Sequence, residues 1–126
     1  MKFIAVGIGG IVGSLLRYFV MVTIEGPLAT VSVNITGSLL LGWFTAAIVE
    51  KQIIRIPPVL VVSISTGMIG SFTTFSAFSL DTMKLLQEGR GIQAMLYLFL
   101  SMAGGLLAAM LGFYLGGLER SHGRKK

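Results

Sequence analysis

The chain has 126 residues, 54% of them hydrophobic and 12% charged, with a mean hydropathy of +0.87. A soluble domain carries roughly 25% charge, so this composition excludes an ordinary water-soluble fold and requires an exterior that meets lipid. The net charge of +5 and pI near 10.0 do not argue for nucleic acid, because Arg120, Arg124, Lys125 and Lys126 cluster in a tail, where membrane proteins keep flanking charge.

Four apolar runs follow one another, separated by short polar connectors that hold the prolines and many of the charges. They predict spans at about 3–24, 29–49, 58–83 and 92–118 in a single membrane domain, with a basic tail at 119–126. Met1-Lys2 ahead of an apolar run resembles the start of a signal peptide. No small-residue cleavage site followed by a soluble domain comes after it, so it reads as the first span. Within that span Gly9, Gly13 and Arg17 share one face. The glycines read as helix-packing positions. Arg17 either snorkels to the interface or attracts anions to a vestibule.

The second span holds Asn34, the only asparagine in the chain, between Thr30 and Ser38 at spacing four. This polar stripe is either interhelical glue or a ligand surface, since an amide's two donors must be satisfied in hydrocarbon. Asn34-Ile35-Thr36 matches a glycosylation sequon by chance, given its depth in the membrane.

The third span is unusual, with residues 66–79 crowding glycines, hydroxyls and aromatics where leucine is expected. A helix break near Gly70 to Thr74 is expected there. Broken backbone at membrane depth is tolerated only inside protein or along a cavity, where freed carbonyls can hold a cation. The alternative is a stripe of small residues that lets helices pack closely. Phe75 and Phe78, with Ser79 and Thr82 beside them, share a face. Their ring edges are positive enough to favour an anion, although ordinary core packing also accounts for them.

The fourth span repeats the spacing with Tyr97, Ser101 and Gly105, and carries Gly112 and Gly116 as a small-xxx-small pair. With both chain ends inside the cell, Lys2, Lys51, Arg55, Arg120, Arg124, Lys125 and Lys126 face the cytoplasm against Lys84 and Arg90 outside. Without the last seven residues this bias almost vanishes. No carboxylate is expected deep in a span, Asp81 being placed near a helix end, and proton-coupled transport usually relies on one. The glycine run 7–13 lacks the dinucleotide fingerprint's spacing. His122 stands alone, and no nucleophile has a base beside it, so an enzyme is not expected.

Three motifs, in order, resemble those of the Fluc (CrcB) family of fluoride channels. Gly9-Gly10-Ile11-Val12-Gly13-Ser14-Leu15-Leu16-Arg17-Tyr18 is similar to GGxxGxxxRY, and Thr30-Val31-Ser32-Val33-Asn34-Ile35-Thr36-Gly37 to TxxVNxxG. Residues 67–79 are similar to GxxGGxTTFSTFS. The resemblance implies an all-α membrane protein whose third of four helices is broken, assembled as an antiparallel, dual-topology dimer in the cytoplasmic membrane. Fluoride leaves the cell passively through two pores in that picture. The resemblance assigns Asn34, Phe75, Phe78, Tyr97, Ser101, Thr30, Ser76 and Ser79 to the pore and Arg17 to the vestibule. The carbonyls of Gly70 and Thr73 are assigned to a structural sodium ion shared by both chains.

Ser71, Ala77, Asp81 and Gly105 depart from the family pattern, where glycine, threonine, glutamate and serine are usual. They thin the polar track, and with the biased tail they make a homologous, oppositely oriented subunit an alternative partner to a second copy. A small four-span multidrug exporter is the competing reading, but it is expected to carry a glutamate in its first span, and none is present. A non-conducting assembly subunit is a third.

Overall fold

Because backbone groups cannot be left unpaired in hydrocarbon, each long apolar run closes its hydrogen bonds within itself as a helix. In the computed structural model, which describes residues 1–123 and side chains as far as Leu118, α1 spans Lys2–Thr23 and α2 spans Pro27–Glu50. The third span, Pro58–Gln87, divides into α3 (58–72) and α4 (Phe75–Gln87), and α5 spans Gly91–Gly123. The charged tail expected at 119–126 lies outside the described side chains. Four helices are thus long and apolar enough to cross a membrane among the described residues.

The turns are set by local chemistry. Pro27 and Pro58 open their helices, where proline's missing N–H costs nothing. α4 ends in a Schellman motif: Gly89, at φ +72°, donates its N–H to the Leu86 carbonyl, and Arg90 donates to Leu85. This stop lies four residues beyond the expected end of the span. Asp81 is therefore six residues inside the helix, about 9 Å along its axis, and the expectation that it sits near a helix end is corrected. Hydropathy ends at the first long polar side chain, Lys84, but Lys84 and Gln87 can reach the interface from within the membrane.

Packing is dominated by close backbone approach. α2 runs along α5, and Gly112 lies where a Cβ would come within 2.0 Å of the Leu39 carbonyl oxygen. α1 packs on α3 in the same way, with the Met68 carbonyl 2.0 Å from a Cβ built on Gly13. Two stretches, Thr45–Glu50 and Ser63–Ile69, are wound as π-helix. At the second, the Ser63 hydroxyl donates to the Ala5 carbonyl of α1 at 2.5 Å.

The contacts also fix which ends lie together. Lys51 Nζ donates to the Gly117 carbonyl, joining the ends of α2 and α5, while Ser63 joins the starts of α1 and α3. Lys2, Lys51 and Arg55 therefore share one end with Glu50. At the other end Lys84 and Arg90 balance Glu25 and Glu88, and Arg90 pairs with Glu88 at 3.3 Å. Arg17 and Asp81, within the spans, cancel. Among the described residues the surplus of positive charge, Lys2, Lys51 and Arg55 against Glu50, thus belongs to one end.

Candidate functional site

The helix break lies at Thr73 and Thr74, both in extended conformation (ψ 155° and 123°). Two devices satisfy the backbone that the break exposes. The Thr74 hydroxyl caps α4 by accepting from the Ala77 N–H at 3.2 Å. The Asn34 side chain grips Thr74 itself, its Nδ2 donating to the Thr74 carbonyl at 3.0 Å and its Oδ1 accepting the Thr74 N–H at 2.8 Å. α2 comes this close because Gly37 has no side chain, and a Cβ there would lie 2.3 Å from the Thr73 methyl.

A groove of about 330 Å³ opens beside this clasp, lined by Asn34, Thr73, Thr74, Phe75, Phe78, Ser101 and Met102. The Phe75 and Phe78 rings lie 5.8 Å apart, tilted by 40°. Phe78 also stacks on Tyr97 at 5.3 Å, which covers one of its faces. Phe75 is 79% exposed, so the groove lacks an outer wall on a single chain. The hydroxyl of Ser101, another lining residue, is buried with no hydrogen-bond partner. An orphaned buried hydroxyl is uncommon and calls for an explanation.

Just under one helical turn beyond Phe78, Asp81 Oδ2 accepts the Thr30 hydroxyl at 2.7 Å and the Tyr97 hydroxyl at 3.2 Å. Thr30 is fully buried in this knot and does not line the groove. Ser76 Oγ lies 3.3 Å from Thr74 Oγ1 at the start of α4, and Ser79 stands outside the groove lining. Arg17 is half-buried on α1 and is not brought to the groove. Sequence reasoning gives Asp81 only as a family departure and as a carboxylate near a helix end, with no partners assigned to it. The signal available was Thr30 and Tyr97, two polar groups in different spans that need one acceptor.

Gly70 and Thr73 line a recess of about 190 Å³ with Asn34, Gly37 and Ser38. The Thr74 N–H that would close the helix onto Gly70 goes to Asn34 instead, so the Gly70 carbonyl meets only the Thr73 hydroxyl, at 3.1 Å. The Thr73 carbonyl precedes the capping residue and stands outside the ladder of α4. These are two hard oxygen donors with spare lone pairs, which fit an alkali cation but make only part of its shell. Ser71 is turned away from them, its Oγ 3.2 Å from a Cβ built on Gly10 of α1. Ala77 presents only its backbone to the break, and Gly105 faces Ser38, whose hydroxyl lies 3.6 Å from a Cβ built there. Among the described residues no cluster of three His, Cys, Asp or Glu side chains exists.

Residues 4–113 match the family model described as CrcB-like protein, Camphor Resistance (CrcB). The chain is 42% identical over 120 residues, 90% of its length and 86% of the relative's, to a Bacillus cereus protein named fluoride-specific ion channel FluC 1. It is 38% identical over 129 residues, 98% of each chain, to a Geobacillus kaustophilus protein named fluoride-specific ion channel FluC 2. A Listeria innocua protein of that second name is 44% identical over 115 residues, 89% of this chain and 88% of the relative.

Proposed function

The chain belongs to the CrcB family, and from that membership we propose that it is a multi-pass subunit of a fluoride-selective channel that releases the ion passively across the cytoplasmic membrane. It is a channel subunit and not an enzyme. The observation that carries the reading is the groove lined together by Asn34, Phe75, Phe78 and Ser101, whose hydroxyl has no partner.

Fluoride is small and tightly hydrated, so a path through the membrane must replace water's donors as it strips them. A hydroxyl, an amide and positive ring edges do this without the trap that a buried ammonium would set. In this reading Ser101 and Asn34 supply donors, Phe75 and Phe78 supply edges, and Arg17 draws anions to an approach at one end.

The 79% exposure of Phe75 supports an assembly in which a second, inverted chain supplies the missing wall, giving a dual-topology dimer with two paths. A sodium ion would bind the carbonyls of Gly70 and Thr73 from each chain and hold the dimer at its two-fold axis. The partner is a second copy or a homologous chain of opposite orientation. The one-sided charge favours the homologue, because it biases this chain toward one insertion direction. A multidrug exporter is disfavoured, since α1 holds no carboxylate and the relatives are named as channels.

Purified protein in fluoride-loaded liposomes, followed with a fluoride electrode, tests the reading. Rapid release of fluoride with chloride retained is expected from the chain alone or with its oppositely oriented homologue. Well-folded protein that releases neither ion in both preparations overturns it.

A further inference from the structure

Away from the break, the connector between α2 and α3 has an unusual make-up for a loop. Ile53, Ile54 and Ile56 stand among six residues that also hold Gln52 and Arg55, and Ile54 is 61% exposed. Gln52 adopts a left-handed backbone (φ +48°), which turns the chain sharply after α2. Between this loop and the first turns of α3 lies a groove of about 630 Å³, nearly twice the volume of the one at the break. Its walls are Ile48, Val61 and Val62, and its polar groups are Gln52 and Arg55.

Three observations converge on one kind of occupant. The groove sits where α2 ends and α3 begins, the depth at which headgroups meet acyl chains. Arg55 is exposed and has no ion pair among the described residues, whose one salt bridge is at the opposite end. Among the described residues, positive charge is in surplus at this end, with Lys2, Lys51 and Arg55 against Glu50, while the charges at the other end balance.

We propose that this groove is a binding site for an anionic phospholipid, with the lipid phosphate on Arg55 and Gln52 and one acyl chain along Ile48, Val61 and Val62. A guanidinium matches a phosphate in a two-pronged fashion, and basic pockets between helices on such a face select acidic headgroups. The apolar walls and the exposed isoleucines commit the site to a lipid, since a soluble phosphate would leave them uncovered. The proposal does not depend on fluoride passage, because the site lies apart from Asn34, Phe78 and Ser101.

The test is native mass spectrometry of the full chain in mixed micelles with phosphatidylglycerol, phosphatidylcholine or glycerol phosphate. Retention of phosphatidylglycerol above phosphatidylcholine is expected, falling about fivefold in Arg55→Gln and unchanged in Lys84→Gln at the other end. Val61→Trp, which fills the groove with Arg55 intact, should lower retention as well. Equal retention of the two lipids, full retention by Arg55→Gln or Val61→Trp, or displacement by glycerol phosphate would each overturn the proposal. So would a chain dimer that Val61→Trp abolishes, which would give the groove to a second copy.

Discussion

Asn34 and Thr74 hold one another through two hydrogen bonds, of 3.0 and 2.8 Å, across the point where the third span breaks. The asparagine serves the break twice, as donor and acceptor, and so spends on the fold part of a bonding capacity that the sequence alone leaves open between interhelical glue and a ligand. Asn34→Leu leaves the Thr74 N–H and carbonyl without partners, each costing about 1–3 kcal/mol. Unfolding in detergent should show that loss, and Asn34→Asp, which keeps the acceptor, should fall between.

Ser101 gives the opposite expectation. Its hydroxyl is buried without a partner, so Ser101→Ala removes an unsatisfied group and should leave the unfolding midpoint unchanged or slightly raised. Fluoride release from liposomes should fall in the same protein. A stability loss of more than about 1 kcal/mol would mean that the hydroxyl serves the fold.

The knot at Asp81 predicts graded effects. Asp81→Ala strands the Thr30 and Tyr97 hydroxyls, both buried, and should destabilise the protein by about 1–3 kcal/mol. Asp81→Asn retains one acceptor oxygen and should recover part of that loss, as read by denaturant unfolding in micelles.

Two glycines separate packing from helix propensity. Gly112→Ala forces a methyl against the Leu39 carbonyl and should cost at least about 1–3 kcal/mol as α2 and α5 part. Gly7→Ala meets nothing within 4 Å and should be neutral or stabilising by about 0.5–1 kcal/mol. Thermal melting of both variants, side by side, checks the contrast.

The break at 73–74 was legible because Gly70 and two adjacent threonines disfavour a continuous helix, and the spans because charge is absent from them. The boundary at 83 misled, since hydropathy stops at the first lysine whereas the helix stops at Gly89, where the backbone turns left-handed. The stripe Thr30, Asn34, Ser38 reads as one surface at helical spacing. In space its members part company, because Thr30 turns to Asp81 on α4 and Asn34 to the broken backbone. No sequence period encodes that division, which depends on where α4 and α5 come to rest beside α2.

The π-wound stretch Ser63–Ile69 carries a consequence for any alteration of the third span. Its wider coil spends an additional residue within a turn, so a helical wheel at 100° per residue drawn through 58–72 loses phase partway along. Positions that appear to share a side before Ser63 and after Gly70 do not. Excising a single residue from this coil would let it close to the common pitch with the two phenylalanines kept near their line with the second span. The same excision from an ordinary coil would swivel everything downstream by about 100°.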